Sequence, residues 1–227
     1  MTTVSAFISA RTRMQKRNAT LSKIVPEVFA MKVNQLLALF LLVIMAPLML
    51  AIMIMIWFAD GGPVIFAHHR VGRDGRFFRC LKFRSMRNGA DRLLAELLRT
   101  DSAARNEWEK EQKLTNDPRI TPIGKFLRNT SLDELPQLVN VLKGQMFLVG
   151  PRPVTMPELS RYGANRWHYI SVRPGMTGLW QVSGRNNTSY EERVALDRQY
   201  VERRSAFFDA YILLRTIKVV FLRDGAR

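Results

Sequence analysis

Leu36 to Phe58 reads LLALFLLVIMAPLMLAIMIMIWF, 23 residues without a charged side chain. An apolar run of this length calls for a membrane. A buried core helix is the alternative, but soluble helices show a polar face within two turns, and this one shows none. The run starts too far from the N-terminus and is too long for a secretory signal, and no small-residue cleavage site follows it, so it is read as retained. As one straight helix it measures roughly 35 Å, enough for a hydrocarbon core of about 30 Å. Pro47 stands at its midpoint. Proline removes a backbone bond and collides with the preceding turn, which predicts a kink and two arms of about 16 Å each. Such arms reach mid-bilayer and return.

Flanking charge bears on the same choice. Residues 1–35 carry Arg11, Arg13, Lys16, Arg17, Lys23 and Lys32 against Glu27 alone. On the other side lie Arg70, Arg73, Arg76, Arg79, Lys82, Arg84 and Arg87, against Asp60 and Asp74. The positive-inside tendency places both flanks in the cytoplasm, as a re-entrant hairpin does and a single crossing does not. A kinked crossing is the alternative these residues leave open, since prolines are common in spanning helices. Across its 227 residues the chain has 35 Lys plus Arg, 19 Asp plus Glu, a net charge of +16 and 47% hydrophobic residues. That excludes a disordered basic tail, which could not bury enough surface to offset its ordering entropy. Cys80 is the only cysteine, so no intrachain disulfide forms.

Beyond the apolar run the chain reads as one soluble domain. Asp60-Gly61-Gly62-Pro63 is a turn, Asp74-Gly75 marks a hairpin, and Arg76 to Phe83 alternates as a strand with Phe77, Leu81 and Phe83 on one face. Helical patterns run from Ala90 to Lys113, from about Ser131 to Leu142 with a stop at Gly144, from Ser189 to Arg203 and from Ala206 to Leu222. Metal-cage spacing, Gly-x-Gly-x-x-Gly and Gly-x-Ser-x-Gly are all absent, and Gly124-Lys125 lacks the Ser or Thr of a phosphate loop. No reading module for nucleic acid accompanies the basic charge.

What remains is Ser131-Leu132-Asp133-Glu134-Leu135-Pro136-Gln137. Ser131 with Glu134 fits a capping box, a purely structural helix start. Pro136 offers another reading, in which the helix begins there and the two carboxylates sit in the preceding loop. Around this pair the cations come in motifs rather than runs: Lys82-Phe83-Arg84, Arg128, Arg152 between two prolines, and Arg173 before Pro174. Arginine forks suit phosphate oxygens, and Mg2+ commonly takes one or two carboxylates plus substrate phosphates. Attraction to anionic lipid is the plain alternative for the basic charge.

These motifs together resemble the monotopic phosphoglycosyl transferases, the bacterial sugar transferases that initiate polysaccharide assembly, and most resemble their exopolysaccharide-initiating members. The resemblance runs from about Val33 to Leu222. It rests on the proline-broken apolar helix, Lys82-Phe83-Arg84-Ser85-Met86, Asp117-Pro118-Arg119, Ser131 to Gln137, Val149-Gly150-Pro151-Arg152-Pro153, Arg173-Pro174-Gly175-Met176-Thr177-Gly178 and Ser183-Gly184-Arg185-Asn186. It implies an α+β, mainly helical monotopic protein with a basic flank (1–35), a re-entrant helix (36–58) and a cytoplasmic catalytic domain with a small β-hairpin (59–227). It implies transfer of a hexose 1-phosphate from a UDP-sugar, glucose or galactose favoured, to undecaprenyl phosphate at the inner membrane. UMP leaves, and downstream glycosyltransferases take the product. Asp133 is the implied nucleophile and Glu134, with Asp133, the implied Mg2+ ligand. Lys82, Arg84 and Arg128 position the diphosphate, with Arg152 and Arg173 as further candidates. Ala46 departs from the family, whose members often carry Ser before the helix-breaking proline. A non-catalytic membrane scaffold, with the acidic pair as a mere helix cap, is the competing reading.

Overall fold

The computed structural model describes residues 2–111, 114–184 and 188–222, with side chains described for 27–109, 114–184 and 188–219. Arg11, Arg13, Lys16, Arg17 and Lys23 of the basic flank, and Arg185 and Asn186 of the last motif, lie outside the described side chains.

The chain begins with α1, Thr2–Asp60, followed by β1, Ile65–Val71, and β2, Phe77–Phe83. The helices α2, Ala90–Thr100, α3, Ser102–Glu111, and α4, Pro122–Thr130, come next. A 3-10 turn, Leu132–Glu134, leads into α5, Gln137–Leu142, then β3, Phe147–Val149, α6, Met156–Ser160, and α7, Arg166–Ile170. The chain continues through β4, Gly175–Thr177, α8, Leu179–Val182, α9, Tyr190–Arg203, and α10, Ala206–Leu222. The fold is mainly helical with a small antiparallel hairpin.

In α1 one expectation is corrected: the helix runs uninterrupted through Pro47. Between Asn34 and Ile56 its buried or half-buried positions, Asn34, Gln35, Ala38, Leu41, Leu42, Met45, Met49, Ile52, Met53 and Ile56, recur at spacings of three and four. That single stripe rests on the rest of the domain. Ala38 shares the main core with Leu138 and Val141 of α5, while Ile52 and Ile56 join Phe83 and Leu127. Burying a large aliphatic side chain contributes about 1.5–3 kcal/mol, so the contacts on both sides of Pro47 offset the roughly 3 kcal/mol that a proline costs inside a helix. Pro47 itself points outward. Two polar clamps fix the stripe: Gln35 Nε2 donates to the Leu142 carbonyl at 2.8 Å, and Leu148 N–H donates to Asn34 Oδ1 at 2.8 Å. The opposite face, including Leu36, Phe40, Val43, Leu50 and Phe58, is apolar and exposed.

β1 pairs antiparallel with β2, from Ile65 opposite Phe83 to Val71 opposite Phe77. Asp74 turns the hairpin in the left-handed region at φ 56°, as its Asp-Gly pair predicts. Of the expected face Phe83 is buried and Leu81 half-buried while Phe77 is exposed, and from the other face Phe78 and Cys80 enter the main core beside α5. The long helical pattern from Ala90 is divided at Asp101, whose carboxylate accepts from the Ala103 and Ala104 N–H groups and starts α3. A second pair, β3 beside β4, is parallel and two residues in register. Gly150 and Gly175 make its close approach possible, since a Cβ on Gly175 would lie 2.0 Å from Gly150 N.

Candidate active site

The carboxylate pair sits where two helices meet. α4 ends at Ser131, held left-handed at φ 57°, and the chain turns through Leu132–Glu134 before Pro136 opens α5 as its N-cap. The proline reading of this segment is thus the one observed: both carboxylates precede the helix, and Ser131 caps nothing with its side chain. A non-glycine residue in the left-handed region costs about 1–3 kcal/mol, and Ser131 holds it at the turn that aims Asp133 inward. Asp133 is only 7% exposed.

β2 brings Lys82 across from this turn. Lys82 Nζ lies 2.7 Å from Glu134 Oε1 and 3.7 Å from Asp133 Oδ2. The strand is held in place by Asn140 of α5, which is 1% exposed. Its amide accepts from Leu81 N–H at 3.0 Å and donates to the Arg79 carbonyl at 2.8 Å, so the strand just before Lys82 is pinned to the helix that follows the carboxylates. Arg152 Nη1 approaches Glu134 Oε1 at 3.5 Å from the loop after β3. Arg128 comes from α4, where its Nε donates to the buried Ser85 hydroxyl at 2.9 Å.

Burial pushes the Asp133 carboxyl above the ordinary range; Lys82 opposes the shift, Glu134 adds to it, and Arg128 and Arg152 oppose it. Desolvation outweighs the surrounding cations, leaving a poorly hydrated carboxylate within a basic shell. In its ionised form such an oxygen, with little hydration to shed, is suited to attack an electrophile.

Lys82, Arg128, Arg152, Asp133 and Glu134 are therefore brought together, whereas two expected cations are engaged elsewhere. Arg84 is buried and closes the turn after α1, donating to the Gly61 carbonyl and to Asn88 Oδ1 at 2.5 Å, with Asp60 Oδ2 at 3.3 Å. Arg173 donates to the Gly144 carbonyl at 2.8 Å, pairs with Glu27 of α1 and stacks on Phe147 at 5.4 Å. Both hold α1 to the domain. Asp117-Pro118-Arg119 is likewise an internal pair, with Arg119 chelating Asp117 through contacts of 2.8 and 2.7 Å. Sequence reasoning missed Ser85 and Asn140 as supports of the site; Ser85 adjoins the Lys82-Phe83-Arg84 motif, whereas nothing local marks Asn140.

Among the described residues no group of three or more His, Cys, Asp or Glu side chains could enclose a metal. Mg2+ needs no such cage, because one or two carboxylates suffice when phosphates supply the remaining oxygens. The adjacent hard oxygens of Asp133 and Glu134 fit that donor requirement.

The bacterial sugar transferase family model matches residues 26–223. An uncharacterized sugar transferase of Haemophilus influenzae is 49% identical over 99% of this chain and 48% of its own length. The undecaprenyl-phosphate galactose phosphotransferase of Salmonella typhimurium is 54% identical over 82% of this chain and 39% of its own length. Exopolysaccharide production protein ExoY of Rhizobium meliloti is 49% identical over 82% of both chains. The chain thus spans less than half the length of the first two relatives and most of the third.

Proposed function

The chain belongs to the bacterial sugar transferase family, and from that premise we propose that it transfers a hexose 1-phosphate from a UDP-sugar to undecaprenyl phosphate. The observation that carries this reading is the buried Asp133 carboxylate, 3.7 Å from Lys82 Nζ and flanked by Glu134. The names of the Salmonella and Rhizobium relatives support the same chemistry and an exopolysaccharide context. Galactose and glucose are the favoured sugars.

Asp133 attacks the β-phosphorus of the UDP-sugar, and the bond from that phosphorus to the bridging oxygen breaks, releasing UMP. The hexose phosphate is then held on Asp133 as an acyl phosphate. A phosphate oxygen of undecaprenyl phosphate attacks the same phosphorus, the bond to the Asp133 oxygen breaks, and the free carboxylate is restored. Lys82 and Arg128 neutralise and orient the diphosphate, and Arg152 meets it from the opposite loop. Glu134, with Asp133, would hold Mg2+, which reduces phosphate charge when bound.

The exposed apolar face of α1 supports a membrane setting, and Glu27–Asp60 is long and apolar enough to cross one. The inner stripe favours monotopic docking over a perpendicular crossing. From Ala38 to Ile56, about 27 Å of helix rests on a domain studded with charge, which a crossing would carry into hydrocarbon. We assign the catalytic domain to the cytoplasmic face of the inner membrane, where the lipid substrate presents its phosphate and downstream glycosyltransferases collect the product.

The test is incubation of the membrane-bound chain with Mg2+, undecaprenyl phosphate and a panel of UDP-sugars. UMP release with UDP-galactose or UDP-glucose, and a new lipid-linked sugar, is expected. Absence of UMP release with every sugar would leave the scaffold reading in its place.

A further inference from the structure

Arg152 is held at Glu134 by more than its backbone. Pro151 and Pro153 fix the loop on either side of it, but its side chain is about one-third exposed and has several rotatable bonds. Its guanidinium stacks on the Trp180 indole, 5.7 Å from the ring centroid. That indole is itself anchored. Trp180 Nε1 donates to Thr188 Oγ1 at 2.6 Å, and α8 is carried close to the Arg152 loop by Gly178, whose Cβ would lie 2.2 Å from the Gly150 carbonyl.

Behind the indole the stacking continues. Arg193 of α9 lies 4.8 Å from the Trp180 centroid and 5.6 Å from that of Tyr190, and Arg161 covers Tyr190 at 3.7 Å. Arg193 is 9% exposed, with its Nε and Nη2 unpaired and Nη1 at 3.8 Å from Glu158 Oε1. A buried guanidinium that forgoes hydrogen bonds is held by ring faces and by Glu158, so it serves to fix the indole rather than to face solvent. Arg161, Tyr190, Arg193, Trp180 and Arg152 form an alternating ladder of cations and rings that ends at the carboxylate pair.

We propose that Trp180 is a positioning residue: its indole holds the Arg152 guanidinium beside Glu134, where Arg152 meets the diphosphate of the nucleotide. The inference rests on the reading that a nucleotide diphosphate docks at the carboxylate pair. Without the ring, Arg152 samples many rotamers and must be ordered anew at each binding event. A ring at this place matters more than its indole N–H.

The test is the affinity of the detergent-solubilised 227-residue chain for UDP in the presence of Mg2+, measured for wild type, Trp180→Leu, Trp180→Phe, Arg152→Lys and the Trp180→Leu/Arg152→Lys double variant. Trp180→Leu is expected to weaken UDP about tenfold, Trp180→Phe to restore it to within about threefold of wild type, and the double variant to bind within about threefold of the weaker single variant. Thermal melting of each variant separates loss of the fold from loss of position. Independent, multiplying losses in the double variant, or Trp180→Leu binding like wild type, would overturn the proposal, as would failure of UDP to bind the wild type. If the UDP pattern holds while no UDP-sugar yields UMP, the transfer reaction falls and the positioning role stands.

Discussion

Asp133 concentrates the residue-scale physics. Its carboxyl is raised by burial above the ordinary value of about 3.9. The folded protein therefore binds this proton more tightly than the unfolded chain, and stability falls as pH rises from the ordinary carboxylate value to the raised one, then levels off. Buried Asp197, raised to about 6 mainly by desolvation, adds a second contribution of the same sign, lost between the ordinary carboxylate value and about 6. Asp133→Asn is expected to abolish transfer, a loss of at least about 10³-fold, while removing its share of the pH dependence and melting no lower than wild type at pH 7. Denaturant unfolding from pH 4 to pH 7 on both proteins checks this; a variant clearly less stable at pH 7 would show that the carboxylate is stabilising there. Motif and charge type made Asp133, Glu134, Lys82, Arg128 and Arg152 legible in the sequence. They did not reveal which arginines are taken up by internal acceptors, because Gly61 O and Gly144 O enter only through tertiary contact.

At the scale of elements, the site depends on how closely α4 approaches the end of β2. A Cβ on Gly124 would lie 1.9 Å from the Ser85 carbonyl oxygen. That carbonyl also accepts from Thr121 N–H at 3.1 Å, and the Ser85 hydroxyl accepts from Arg128. Gly124→Ala is expected to push α4 away, lowering stability by about 1–3 kcal/mol and raising the KM for UDP-sugar through misalignment of Arg128. Thermal melting and steady-state kinetics check both effects, and a wild-type KM with a lowered melting temperature would detach Arg128 from substrate binding. The hairpin and the Pro136 helix start could be read locally, because Asp-Gly and proline act on their own backbone. The course of α1 could not. Proline's local cost predicts a break, but a helix that packs along its whole inner stripe retains its backbone through Pro47.

The whole molecule places a charged domain against one side of an apolar helix and leaves the other side of that helix exposed, as the proposed membrane setting requires. Composition revealed an apolar helix long enough to cross a membrane, since 23 uncharged residues in succession are recognisable without any tertiary contact. It did not reveal the docking of that helix, because a run that is apolar all round carries no mark of which stripe faces protein. Under the proposed mechanism one carboxylate serves both substrates in turn, so donor cleavage precedes attack by the lipid phosphate. The most direct measurement is the intact mass of the chain after brief exposure to UDP-galactose or UDP-glucose and Mg2+ without undecaprenyl phosphate. A gain of one hexose phosphate, mapped to Asp133, absent from Asp133→Asn and removed on adding undecaprenyl phosphate, is predicted. Lipid-linked sugar formed at full rate by a chain that never carries the adduct, or by Asp133→Asn, would contradict it.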